Sequence, residues 1–406
     1  MSLNRTAWLC FVMAMAFVWS SARVAQAQGT GSADDQGKPF RVVIAGMVHG
    51  HVDGFLSGAR KRGDIQIVGV EEPDRALFDM YAKKYGLDAK LYHPDLEEML
   101  NNTHPEAVLI YTNTFDHRRA VELCAQYLQA ARGRRNTSTG AEGGLTVMME
   151  KPLAVSAEDA YAIEKSALDA KMSVLVNYFT TWEPSRHDVY NRARGVGIGG
   201  IRRIVAHDGH GGPKEIGVGP EFLGWLTDPK LNGGGALYDF GCYGVDFITW
   251  LMDGQRPLTV TAVTLQIKPD VYPKVDDDAT IVVTYPKVVG IVQGSWNWPF
   301  GRSDVEIYGK TGEVKTAGDD AVEVRNEGDA SWKTVQVPAL APPEDDELNY
   351  LRAVARGGLI PDGPGSLSVN VVVAEVLDAA RESARTGRTV KINRRVNIIS
   401  GGNQKN

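Results

Sequence analysis

The sequence predicts an α/β N-terminal domain built on a doubly wound parallel sheet. An α+β C-terminal domain with a large, mostly antiparallel open sheet follows it. Three observations carry this. Short, fully apolar runs alternate with helical stretches from Phe40 to Met149, the rhythm of a parallel sheet with crossover helices. The first of these runs ends in a glycine turn that opens directly into a helix, the context a dinucleotide fingerprint needs. Beyond Tyr178 the rhythm changes to alternating strands joined by short turns such as Pro286-Lys287, which marks an antiparallel sheet.

At 406 residues the chain is long enough for two full cores. With 43% apolar and 23% charged residues it has ordinary globular composition. A net charge of −6 excludes the basic footprint of a nucleic-acid binder. The first 27 residues read as an export signal. Arg5 gives a positive start, Ala7 to Ala22 a mostly apolar run, and Ala25-Gln26-Ala27 a small-x-small cleavage site. The run is too short for a comfortable membrane span, and no arginine pair precedes it to mark twin-arginine export. Cleavage after Ala27 removes Arg5 and Arg23 and takes the charge from −6 to −8. The expectation is therefore an exported protein, periplasmic or secreted, with no stable membrane span after cleavage. Cys124 and Cys242 then remain. They lie in different units and read as separate core residues rather than a disulfide framework.

Residues 28–38 read as a flexible lead-in. The first strand, Phe40 to Ala45, leads into Gly46-Met47-Val48-His49-Gly50-His51. In a strict G-x-G-x-x-G pattern, Val48 occupies the second glycine's place and His51 the third's. The second strand, Ile65 to Val70, ends in Glu71-Glu72-Pro73. Glu72, 26 positions after Gly46, is placed to grip a ribose hydroxyl pair and to repel a 2′-phosphate, which favours NAD over NADP. The third strand, Ala107 to Tyr111, runs into Thr112-Asn113. The fourth, Leu145 to Met149, ends in Glu150-Lys151-Pro152. Ligands of such a sheet lie beyond these carboxyl ends. Between the last two strands, residues 131–143 read as a basic surface insert.

A further strand, Val174 to Tyr178, is followed by Thr180, Trp182 and Arg186. Tyr178, Trp182 and Arg186 are the aromatic and hydrogen-bonding groups expected against a polyhydroxylated ligand. Strands are then expected around Ile201–Ala206, Leu258–Val263, Ala279–Tyr285, Val288–Ser295 and Val305–Tyr308, with closing helices at 348–356 and 369–385. Between them lies Gly233-Gly234-Gly235-Ala236-Leu237-Tyr238-Asp239, followed by Tyr243 and Asp246. Asp239 and Tyr243 share a face if this stretch is helical. His49 and His51 lie two apart with no third ligand in local spacing, so no metal site is expected. Trp182, Trp225, Trp296 and Trp298 are candidates to stack on a sugar ring, against a default of core packing.

A dinucleotide-type first unit, Glu150-Lys151-Pro152 at its end, and then Asp239-x-Gly241-x-Tyr243-x-x-Asp246 resemble the Gfo/Idh/MocA oxidoreductase family, the family of glucose–fructose oxidoreductase and inositol dehydrogenase. His117, Ile307-Tyr308-Gly309 and Ser383 to Arg388 agree in order. The resemblance covers Phe40 to about Asn393. It implies a Rossmann dinucleotide-binding domain over 39–153, a substrate and oligomerisation domain over 154–396, and a polar tail over 397–406.

The resemblance further implies NAD or NADP against Gly46, Val48, His49, Gly50, Glu72, Thr112, Asn113, His117, Glu150 and Lys151. A sugar or cyclitol is implied over the second sheet. Lys151 is the implied catalytic lysine and Asp239 a carboxylate that positions substrate. Tyr243 stands where many members carry histidine. On this reading Lys151 lowers the Tyr243 pKa towards phenolate, and either group takes the hydroxyl proton while hydride passes to nicotinamide. Three functions stay open at this stage. The first is an NAD(P)-dependent oxidoreductase acting on a carbohydrate CH–OH. The second is an NAD-recycling glycosidase working through a transient keto-sugar. The third is a non-catalytic carbohydrate-binding protein. A homodimer or tetramer is expected, to cover the open sheet.

Overall fold

The computed structural model describes residues 37–134, 144–195 and 197–392. The expected signal segment, residues 28–36 of the lead-in, most of the basic insert and the polar tail lie outside the described residues. The insert begins later than the sequence suggests, because the helix His117–Arg134 continues four residues past Ala130.

The first sheet is parallel throughout and has six strands: β1 (Phe40–Ala45), β2 (Ile65–Glu71), β3 (Tyr92–His93), β4 (Ala107–Ile110), β5 (Thr146–Glu150) and β6 (Ser173–Asn177), in the order β3-β2-β1-β4-β5-β6. Strand order reverses between β1 and β4, which opens a crevice at their carboxyl ends. The central strands are apolar on both faces because helices cover both. β4 and β5 are buried at every position. β6 pairs in parallel with β5 from Thr146↔Ser173 to Glu150↔Asn177. The strand assigned by sequence to the second domain thus completes the first sheet. Sequence spacing alone gives no partner for it, since it follows the lysine turn and a full crossover helix.

The second sheet has nine strands: β7 (Ile201–Gly209), β8 (Thr259–Leu265), β9 (Asp278–Thr284), β10 (Val289–Ser295), β11 (Arg302–Gly309), β12 (Gly312–Thr316), β13 (Ala321–Asn326), β14 (Lys333–Gln336) and β15 (Val390–Lys391), ordered β14-β13-β12-β11-β7-β10-β9-β8-β15. Only the β7–β10 pair is parallel. Period-2 burial in β9 and β10 buries one face under the helices Gly241–Leu251 and Leu367–Thr386. β12 to β15 escape the sequence reading because they are short or edge strands whose polar residues give weak alternation.

One helix crosses back. Glu347–Ala355 lies after the second sheet in sequence, yet Leu348, Leu351 and Val354 pack in the core of the first domain with Ile44, Leu109 and Met148. The two units are therefore knitted together rather than strung in series. Both described cysteines are buried and unbridged. Among the described residues no helix is long and apolar enough to cross a membrane.

Candidate active site

The site is built where the carboxyl ends of the first sheet meet a glycine-rich loop of the second domain. Gly46 ends β1 with φ +77°, a conformation that costs glycine nothing. A Cβ there would fall 2.6 Å from Thr112 Cγ2, so glycine also permits the turn to cross the end of β4. The turn is pinned by two acids at the carboxyl end of β2, Glu71 and the following Glu72. Gly46 N donates to the Glu71 carboxylate at 3.1 Å, Met47 N to Glu72 Oε2 at 2.7 Å, and Asp74 N to Glu72 Oε1 at 2.9 Å. Burial raises the pKa of both acids, Glu71 to about 7.

From above, the helix Pro220–Leu226 closes on the same turn. Trp225 Nε1 donates to Val48 O at 3.1 Å, and His49 is buried with ring centroids 4.9 Å from Phe222 and 5.4 Å from Trp225. Val48, in the second glycine's place, fills the seam between two apolar clusters. Burial, reinforced by His51 and Lys151, holds the His49 pKa far below its ordinary value.

Glu150 and Lys151 leave β5 in opposite directions. The Glu150 carboxylate accepts from Asn177 Nδ2 at 3.2 Å and lies 2.9 Å from His51 Nδ1. Burial alone would raise its pKa; His51 and Lys151 outweigh this and leave it lowered. Lys151, only 5% exposed, donates from Nζ to Asp239 Oδ1 at 2.6 Å and to Asp239 O at 2.9 Å. Trp296 Nε1 donates to the other Asp239 oxygen at 2.9 Å. Burial opposes charge on both partners, but each stabilises the other. The Lys151 pKa ends raised and that of Asp239 lowered, so the pair is ionic. Lys151 Nζ also lies 4.9 Å from the Tyr243 ring centroid.

Asp239 is placed by the glycine run before it. A Cβ on Gly235 would fall 1.8 Å from Asp276 O, so only glycine allows this close approach. Asp276 then caps the helical turn Ala236–Asp239 from outside, accepting from Gly235 N at 2.9 Å and Leu237 N at 2.7 Å.

The structure thus brings together Lys151, Asp239, Tyr243, Glu150 and His49, with Gly46, Val48, Gly50, Glu72 and Thr112 around the turn. Asn113 caps the turn after β4, accepting from Asp116 N at 3.1 Å. Five sequence expectations need correction. Tyr243 is no phenolate, because burial first, then its neighbours Cys242, Glu150 and Asp239, drive its pKa well above the ordinary value. His117 is fully buried, its ring nitrogen 3.1 Å from Pro152 O, so it supports the lysine loop from behind rather than facing a cofactor. Tyr178 is fully buried and its hydroxyl donates to Asn370 at 3.0 Å. Arg186 is held in the interior by Glu183, Ser303 and Asp208. Trp182 donates to Asn177 Oδ1 at 3.0 Å and packs on Tyr350, lining a separate cavity of about 280 Å³. A strand-end cluster read from sequence cannot tell residues facing the crevice from those that turn into the core behind it.

Two residues gain a place the sequence did not give them. Trp296, a stacking candidate, is buried and orients Asp239 through its indole N–H. His210, at the end of β7, packs edge-on against Phe240 at 4.8 Å. Its Nδ1 accepts from Gly212 N at 2.9 Å, which leaves the proton of the neutral ring on Nε2. Burial lowers its pKa. A strand-end histidine before Gly211-Gly212 was the available signal.

Comparison with known proteins agrees with this architecture. Residues 40–178 match the family profile described as oxidoreductase family, NAD-binding Rossmann fold. Residues 193–315 match that of the GFO/IDH/MocA C-terminal domain. Among curated relatives, trans-1,2-dihydrobenzene-1,2-diol dehydrogenase of Sus scrofa is 25% identical over 255 residues, covering 63% of this chain and 66% of that protein. The matched stretch therefore spans just under two thirds of that relative. An aldose-aldose oxidoreductase from Caulobacter crescentus superposes with a TM-score of 0.70 at 17% identity, over 87% of this chain and 100% of that one. An inositol dehydrogenase homologue from Azotobacter vinelandii, complexed with NAD+, superposes with 0.71 at 17% identity, over 88% and 98%. At these identities the structural likeness establishes the shared fold.

Proposed function

Because the chain belongs to the GFO/IDH/MocA oxidoreductase family, whose first domain is an NAD-binding Rossmann fold, we propose that it is a nicotinamide-dependent oxidoreductase acting on a CH–OH group of a sugar, sugar derivative or cyclitol. The observation that carries this is the buried Lys151–Asp239 ion pair at the crevice beside the Gly46 turn. A buried ion pair is poor value for stability alone, and this one lies where the two domains meet. The residues present fit a dinucleotide. Gly46 makes the tight turn, the helix His51–Ala59 opens its N-terminus towards the crevice, and Glu72 closes β2. The acid at that point favours NAD over NADP. When bound, nicotinamide accepts or gives the hydride.

The chain's own groups handle the oxygen. Lys151 has spent two of its three N–H donors on Asp239, which leaves one for a substrate oxygen. As an ammonium it stabilises alkoxide and protonates it in the direction of carbonyl reduction. In the direction of oxidation it must first lose its proton. Proton transfer of this kind is worth roughly 10²–10⁴-fold. Asp239 keeps the ammonium charged and aimed. Tyr243, a neutral phenol, offers a hydrogen bond rather than a base.

Supplying NAD with a panel of aldoses, cyclitols and aryl glycosides tests the reading. Accumulating NADH with a keto or lactone product supports it. Release of the aryl group with no net NADH would replace it by the recycling glycosidase. We further propose that the protein is exported by cleavage after Ala27. The mass of the mature chain, beginning or not at Gln28, decides this.

A further inference from the structure

We propose that His49, His51 and Glu150 form a binding site for one divalent transition-metal ion of the zinc or cobalt type. His49 and His51 flank the glycine turn after β1, and no third ligand lies near them in sequence. The fold supplies it from 99 residues away, at the end of β5. One ligand atom from each residue lies within 4.8 Å of the others. Around an ion with N and O ligands at about 2.0–2.2 Å, donors stand roughly 3–3.5 Å apart. The His51–Glu150 edge, at 2.9 Å, is already at that spacing. His49 needs a shift of little more than an ångström. Its contact with His51 N is 3.3 Å, long for a hydrogen bond, so little is lost by giving it up.

Two features distinguish this from a chance cluster. The Glu150 oxygen that does not face His51 is held by Asn177 Nδ2, and Asn177 Oδ1 is held in turn by Trp182 Nε1 at 3.0 Å. An outer shell that fixes a carboxylate in this way is the support a metal ligand needs. His49 and Glu150 are buried, whereas the His51 side chain is 44% exposed, which gives an ion a path in from solvent. Two imidazoles and one carboxylate are a borderline donor set that selects zinc, cobalt, nickel or iron over magnesium or calcium.

The test is Co(II) titration of the full-length mature protein after chelator treatment, without cofactor or substrate, followed by visible absorption and calorimetry. The proposal expects one equivalent bound with a d–d band. Affinity should fall by about 100-fold or more in His51→Ala and by about 10- to 100-fold in Asn177→Ala. It should be unchanged in His104→Asn, which lies outside the cluster. His51 is exposed enough for its variant to fold, and circular dichroism checks it; Asn177→Ala reads the same site without deleting a ligand. Absence of the band overturns the proposal in favour of a plain His51–Glu150 hydrogen bond, as does equal binding by wild type and His51→Ala. Since neither NAD nor sugar is present, failure here leaves the oxidoreductase reading untouched, and failure of that reading leaves the metal site standing.

Discussion

Lys151 sets the expected pH behaviour. Its raised pKa means that it is charged across the neutral range. On the proposed mechanism, oxidation of a CH–OH group uses the free amine and should therefore accelerate as pH rises from 7 to 10, while reduction of the matching carbonyl stays nearly flat. Asp239→Asn removes the charge that holds the proton, so the oxidation limb should move to lower pH although maximal turnover falls. An unmoved limb would separate Asp239 from the lysine's titration. Truncating Lys151 also strands a buried carboxylate, at about 3–5 kcal/mol, visible as a lowered denaturation midpoint. Glu71 behaves oppositely to a salt-bridged acid. Its folded pKa, about 7, exceeds its ordinary 4.5, so the folded state holds a proton that the unfolded state releases. Stability is then lost as pH climbs through that interval, by at most on the order of 3 kcal/mol. Glu71→Gln should flatten the decline between pH 4.5 and 7.5 in urea unfolding; an undiminished slope assigns it to other groups. Glu72 was legible from the strand end it follows, whereas Lys151 and Asp239 were singled out by the order of motifs that resembles the family, since a strand-end lysine or a turn aspartate alone reads as a solvated charge or a cap. The roles of Tyr178, Trp182 and Arg186 were not legible, because a side chain's direction after a strand depends on packing that no local pattern encodes.

At the scale of elements, the glycine loop and the turn after β1 do the positioning. Asp276 O would lie 1.8 Å from a Cβ on Gly235. Gly235→Ala must therefore displace the turn that carries Asp239. A fall in turnover of about 10-fold or more is expected, with about 1–3 kcal/mol lost in stability. A fully active Gly235→Ala would show that Asp239 is placed from elsewhere. The first sheet was readable almost strand by strand, since strands buried on both faces leave unbroken apolar runs. What the sequence misplaced was membership. β6 joins the first sheet, and the helix Glu347–Ala355 returns to the first core. Both depend on contacts between residues far apart in the chain. The third metal donor is hidden from local spacing for the same reason.

For the whole molecule, the open sheet leaves Val263 and Leu265, two apart on the outward face of β8, more than half exposed, with Ile267 just beyond. Apolar groups clustered in this way mark an association surface, and a homo-oligomer is proposed on that ground. Sedimentation should find a dimer or tetramer that Val263→Lys with Leu265→Lys dissociates, whereas a monomeric wild type would refute it. The central claim is that the Lys151–Asp239 pair serves hydride exchange between a carbohydrate and NAD. Its most direct test is absorbance at 340 nm when the purified protein meets NAD and its best sugar or cyclitol. The account predicts NADH formation that Lys151→Ala abolishes while NAD still raises the variant's melting temperature. NADH formation by Lys151→Ala at the wild-type rate would contradict it.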